Sequence, residues 1–270
     1  MKILKFICDF YIQTSIHVAV AVFALVQITV ISLNIKIDAN LGYFVFFGTI
    51  IGYNFLKYFR LFVNKKSTFS NRFDVFTVSL LSSFFVAFYF LKLSYEIQIA
   101  ICKIGVLVLL YPVLRKFGIF KMFIVAFCIV FITVYVVTPV GQVPCVYMLH
   151  RFFIVLALLL PLEIADIEID SKTITTLPQI IGVKSTKLLG YFFLLACFLI
   201  DLYGFKYISF LIINTQLLIV IAAAIFYSNT NKSRYFTSFW VESIPILWWL
   251  LLLIFSKFFQ NFVALYDEFS

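Results

Sequence analysis

The sequence predicts an all-α polytopic membrane bundle, and composition, run length and charge placement together carry that prediction. Hydrophobic residues make up 64% of the 270 and charged residues only 12%, for a mean hydropathy of +1.11. A water-soluble domain carries about 25% charged residues because it must cover a surface. Most of this chain's surface therefore faces hydrocarbon. Polar breaks divide the apolar residues into nine runs near the ~20 residues that a helix needs to cross the hydrocarbon core.

The runs succeed one another along the chain. The first, Ile12 to Leu33, comes after a basic lead containing Lys2 and Lys5. Asp9 and Gln13 interrupt that lead and no small-residue cleavage site comes after it, so it reads as a retained approach to the first span and not as a signal peptide. Next come Leu41 to Val63, Val75 to Leu93, Ile97 to Leu114, Ile119 to Val137 and Tyr147 to Ile164. Thr186 to Tyr203, Tyr207 to Tyr227 and Trp240 to Phe258 complete the set. The fourth, fifth and seventh runs are short and carry Lys103, Gly118 or Gly190 in or beside them, which makes eight the alternative count. No linker, low-complexity tract or internal repeat divides the chain, so 1–270 reads as one domain.

Basic residues set the expected topology. Fifteen of the 21 lysines and arginines, among them Lys2, Lys5, Lys57, Arg60, Arg115, Lys116 and Lys121, fall on one side. The positive-inside rule places that side, with the N-terminus, in the cytoplasm of a cell-membrane protein. An odd number of spans then leaves the C-terminus outside. The net charge of +9 results from this topology and calls for no nucleic-acid partner. Five cysteines scattered singly read as small buried hydrophobes. His17 and His150 are isolated in sequence and suggest neither a metal site nor a triad.

The sharpest chemical signal is the segment Glu163-Ile-Ala-Asp166-Ile-Glu168-Ile-Asp170, four carboxylates at the end of an apolar run. Charges within membrane segments cost at least ~2.5 kcal/mol each and usually face a cavity, partner or ligand. On a continuous helix, Glu163, Asp166 and Asp170 stack on one face. A divalent cation with oxygen ligands relieves their repulsion most economically. The bland alternative is a set of interfacial carboxylates, solvated or paired with nearby lysines. The stretch from Ala165 to Ser185 is the longest segment between spans, and Thr175-Thr176-Leu177-Pro178 and Gly182 read as loop punctuation.

The pattern Glu163-x-x-Asp166-x-x-x-Asp170, with Thr176-Leu177-Pro178 and Gly182 after it, resembles the second acidic signature of the UbiA superfamily of intramembrane prenyltransferases. Leu110-Tyr111-Pro112-Val113-Leu114-Arg115-Lys116 resembles the tyrosine, proline and basic pair that closes that family's fourth helix. Arg234 to Glu242 is faintly similar to its last-helix entry. The resemblance implies a UbiA-like helix bundle around a central cavity, opening sideways to lipid. It also implies binding of a polyprenyl diphosphate through magnesium and transfer of the prenyl group to an aromatic or other lipid-soluble acceptor. Carried onto this chain, Glu163, Asp166 and Asp170 would hold Mg2+, with Asp166 and Asp170 catalytic. Asn54, Lys57, Arg115 and Lys116 would bind the diphosphate.

The chain departs from the family at the first acidic motif. Of the expected asparagine and aspartates only Asn54 is present, and Phe55, Tyr58 and Phe62 stand at the acidic positions. Lys57 and Arg60 add positive charge instead. Asn54 and Lys57 share one helical face beside Tyr58. Two functional classes remain: a prenyltransferase with an altered diphosphate site, or a non-catalytic isoprenoid- or lipid-binding protein that has lost the first metal motif.

Overall fold

The computed structural model describes residues 2–63, 73–114, 118–139, 144–167, 176–204, 208–233 and 235–255. Ten helices account for these residues: α1 (Lys2–Gln13), α2 (Ile16–Leu33), α3 (Ala39–Val63), α4 (Phe73–Phe90), α5 (Tyr95–Leu114), α6 (Phe120–Val130), α7 (Cys145–Ala165), α8 (Leu177–Gly204), α9 (Ile208–Tyr227) and α10 (Phe236–Phe255). Eight of them are long and apolar enough to cross a membrane, and the protein is a multi-pass membrane protein. The remaining run, the fifth (Ile119 to Val137), is α6, which extends through a π-helical turn at Phe131–Tyr135 and stays shorter than the other spans.

Helix α2 is the centre of the bundle. Val22 and Val26 on one face join a core with Leu41, Phe44 and Val45 of α3 and Ile101 of α5. Leu25 and Ile28 on another face join a larger core built from α6, α7, α8, α9 and α10. Two faces buried at helical spacing require a helix that is apolar all round, and α2 carries no charged residue. The π turn at Phe131–Tyr135 leaves the Thr133 carbonyl able to accept from Thr29 Oγ1 of α2 at 2.8 Å. Helices α4 and α5 lie at the periphery, with Leu80, Leu81, Phe84 and Leu109 exposed as lipid-facing positions.

Three sequence expectations change. The first span starts at Ile16, not Ile12, because the chain breaks at Thr14 and Ser15, where Ser15 adopts a left-handed conformation (φ 64°). The basic lead before the break is itself a helix, α1. Helix α7 ends at Ala165 with Asp166 as its cap, so Glu163 and Asp166 do not share one continuous helix, while Asp170 lies outside the described residues. The Thr-Leu-Pro segment is a helix start, not a loop. Gln179 Oε1 accepts from the Thr176 backbone N–H at 2.9 Å, one half of a capping box, and Pro178 sits in the first turn, where its missing N–H costs nothing. Gly182 (φ 80°, ψ 155°) then breaks α8 before it continues through the membrane.

Candidate functional site at the Asp166 face

The ends of α3, α5 and α7 and the starts of α6 and α10 meet on one face of the bundle. Here Glu163 of α7 forms an ion pair with Lys121 of α6 at 2.9 Å, both side chains being largely buried. Lys121 thus supplies positive charge beside one carboxylate that sequence had offered to magnesium. Asp166, one turn further, is exposed. Its charge acts on both Tyr53 of α3 and Glu242 of α10, whose hydroxyl and carboxylate share a hydrogen bond of 3.1 Å. The charge of Lys57 also acts on Glu242, and Tyr111 of α5 lies within electrostatic reach of Tyr53. Asp166, Lys57 and Tyr111 thus lie within electrostatic reach of the Tyr53–Glu242 pair, on ends of four helices.

Local backbone geometry places Glu242. Helix α10 opens with a π turn, Phe236–Val241, and the Glu242 N–H donates to the Thr237 carbonyl five residues back. A π turn adds one residue to a helical turn and rotates the rest of the helix relative to its start, a device common at functional sites. His17 of α2 supports the same turn through Phe239 O at 3.0 Å and Ser243 Oγ at 3.2 Å.

The residues at the altered first motif serve a different contact. Asn54 is buried, and its Oδ1 accepts from Ser15 Oγ at 2.6 Å. Its Nδ2 donates to the Thr14 carbonyl at 3.1 Å and to Ser79 Oγ of α4 at 2.9 Å. One turn on, Lys57 Nζ donates to the Ile12 carbonyl at 3.3 Å and Tyr58 Oη to the Gln13 carbonyl at 2.8 Å. Three consecutive carbonyls at the end of α1 are thus taken by Asn54, Lys57 and Tyr58, on one face of α3. A helix C-terminus carries partial negative charge on its unsatisfied carbonyls. Where acidic side chains were expected, the chain presents donors, and the elbow between α1 and α2 brings the negative partner.

Asp170, Arg115 and Lys116 lie outside the described residues, and nothing is placed for them. Among the described residues no three histidines, cysteines or acids group closely enough to hold a metal unaided. Magnesium usually takes only one or two carboxylates together with substrate phosphate and water, a demand that Asp166 and its surroundings fit. Tyr53 and Glu242 escaped the sequence reading. Glu242 had one visible signal, a carboxylate inside an apolar run, whereas Tyr53 is one of 15 tyrosines and had none.

No family profile matches the chain, and no curated protein sequence matches it significantly. Solved structures do match. The apo structure of a UbiA homolog from Aeropyrum pernix K1 superposes with a TM-score of 0.64 at 13% identity, over 88% of this chain and 97% of that one. A UbiA homolog from Archaeoglobus fulgidus gives 0.57 at 13% identity, over 94% and 98%. The structure of a digeranylgeranylglyceryl phosphate synthase gives 0.56 at 17% identity, over 94% and 97%. Across nearly its whole described length, this membrane protein has the fold of the UbiA homologs.

Proposed function

We propose that the chain is a membrane prenyltransferase of the UbiA type, moving a prenyl group from a polyprenyl diphosphate to a lipid-soluble aromatic acceptor. The observation that carries this reading is the convergence of Asp166, Lys57, Tyr53, Tyr111 and Glu242 on one face of the bundle. In the reaction the allylic C–O bond breaks and its electron pair leaves with the diphosphate. The prenyl cation then alkylates the acceptor, which loses a proton. Lys57, Arg115 and Lys116 would meet the leaving diphosphate as fixed positive charge, and Asp166 with Asp170 would hold Mg2+. The metal, when bound, neutralises charge developing on the diphosphate. This reading takes 1–270 as one domain and puts the Asp166 face and the N-terminus in the cytoplasm.

A second reading has its own support. Asn54, Lys57 and Tyr58 already serve the α1 elbow, which favours a non-catalytic isoprenoid- or lipid-binding protein built on the same fold. One experiment separates the two. Purified chain is incubated with a polyprenyl diphosphate and an aromatic acceptor, with magnesium or with chelator. Diphosphate release that disappears with chelator and falls at least 100-fold in Asp166→Asn supports the enzyme. Tight binding of the isoprenoid without release, across a panel of chain lengths and acceptors, supports the binder.

A further inference from the structure

A second feature lies on α5, towards the membrane face opposite Asp166, and stands independently of prenyl transfer. Here Phe90, Tyr95, Gln98, Ile99, Cys102, Lys103 and Val106 line an open, almost wholly apolar groove of ≈ 470 Å³. Lys103 is exposed within it. It stands eight residues from the start of α5, about 12 Å along the helix, near half the ~30 Å depth of the hydrocarbon core. Among the described residues neither a hydrogen bond nor an ion pair takes its ammonium. A helical side chain leans towards the helix N-terminus, which for Lys103 is the direction of Tyr95 and Gln98, both lining the same groove.

Gln98 is held in place there, its Nε2 donating to Phe90 O at 2.9 Å and Leu93 O at 3.1 Å. Those bonds use the amide nitrogen and leave Oε1 to accept. Lys92 adds a second cation at this membrane edge, over the Phe88 ring at 4.2 Å. Glu96, on the first turn of α5, does not line the groove. The surroundings match an amphiphile with a negative head and an apolar chain: a cation reaching up from within the hydrocarbon zone, among apolar walls. A lipid-facing lysine is costly when it stands alone and is commonly paired or aimed at a water-filled path.

We propose that this groove binds an anionic glycerophospholipid, its phosphate on the Lys103 ammonium and an acyl chain along Phe90, Ile99 and Val106. A single basic residue near the membrane surface favours an anionic lipid several-fold, and a charge-assisted contact below the headgroup plane strengthens it.

The full chain in mild detergent is titrated with phosphatidylglycerol or with phosphatidylcholine of the same acyl chains, and bound lipid is counted by native mass spectrometry. Alkylation of Cys102, located by peptide mapping, reports occupancy of the groove itself. Wild type is expected to bind phosphatidylglycerol about tenfold more tightly than phosphatidylcholine, with Cys102 protected in parallel. Lys103→Leu, which leaves α5 more apolar and able to insert, is expected to lose both effects, and Lys103→Arg to keep them. Equal binding of the two lipids overturns the proposal. So does unchanged selectivity in Lys103→Leu, or a chain dimer that protects Cys102 without lipid.

Discussion

Lys121 and Glu163 show why single residues at this face were hard to interpret from sequence. Both looked generic, a lysine explained by topology and a carboxylate offered to a metal, yet they meet at 2.9 Å where water is largely excluded. Removing one partner of a buried ion pair typically costs about 3–5 kcal/mol, whereas replacing both by apolar residues is often neutral. Lys121→Met is therefore expected to lower the thermal stability of the detergent-solubilised protein by roughly 3 kcal/mol. The double variant Lys121→Met/Glu163→Met should recover most of that loss in the same melting experiment. A fully additive double variant would show that the ion pair contributes nothing. Spacing to neighbouring motif residues singled out Asp166 and Asn54, yet Asn54, expected at a diphosphate, is taken by Ser15, Thr14 and Ser79. The Tyr53–Glu242 contact was not, since it joins positions 189 residues apart and depends on how a π turn rotates α10.

Among the elements, α1 is the one whose role sequence understated. Lys2 and Lys5 with Asp9 and Gln13 suggested a lead, and only the folded chain shows a helix held at its end by Asn54, Lys57 and Tyr58. Tyr235, just before α10, adds a hydrogen bond to Asp9 from the other side. Asn54→Leu removes the bonds to Thr14, Ser15 and Ser79 together. Each buried polar group left unsatisfied costs about 1–3 kcal/mol, so amide protection across residues 2–13 should fall at least tenfold, with α7 and α9 unchanged. The dock should also respond to alkali. The Asp9 hydrogen bond, then desolvation and the Asp9 charge raise the Tyr235 hydroxyl above its ordinary 10.0, and burial raises that of Tyr11. A raised phenol stabilises the docked state fully below pH 10.0 and loses that contribution as pH climbs through the higher folded value. Protection of α1, normalised to an unstructured peptide at each pH, should fall above 10.0, and Tyr235→Phe should remove part of the dependence.

At the scale of the whole molecule, the two membrane faces are built differently. Away from Asp166, the bundle is fastened by fully buried polar contacts. His150 of α7 pairs with Asp201 of α8 at 3.0 Å, and Asn214 of α9 donates to the same Asp201 oxygen at 3.1 Å. Beside them Arg151 donates to Leu25 O at 3.0 Å and Tyr147 Oη at 2.6 Å, and lies 4.8 Å from the Trp248 ring centre. These contacts tie α2, α7, α8, α9 and α10 together. Arg151→Leu, which removes the donors to Leu25 O, Thr29 Oγ1 and Tyr147 Oη, should cost roughly 3 kcal/mol in reversible unfolding, more than Lys57→Met at the exposed end. Similar losses for the two variants would contradict this difference between the faces. The nine apolar runs were readable because burial in lipid imposes one simple period and length on every span. The polar fastening was not, since isolated residues such as His150 and Asp201 acquire meaning only when α7 and α8 pack side by side. The Gly182 break likewise looked like a loop because glycine and proline mark both loops and helix starts.

The left-handed elbow at Ser15 has a consequence for how the chain is made. Its partner Asn54 belongs to α3 and is itself bonded to Ser79 of α4, and Asp9 waits for Tyr235, 226 residues later. During synthesis the contacts from Asn54, Lys57 and Tyr58 to the end of α1 can form once α3 is made. The Asp9 contact must wait until Tyr235, just before the last helix, arrives. Helix α1 is thus among the last elements to be fully fixed, and a chain truncated before Tyr235 should carry it undocked on its Asp9 side however well the earlier spans have inserted.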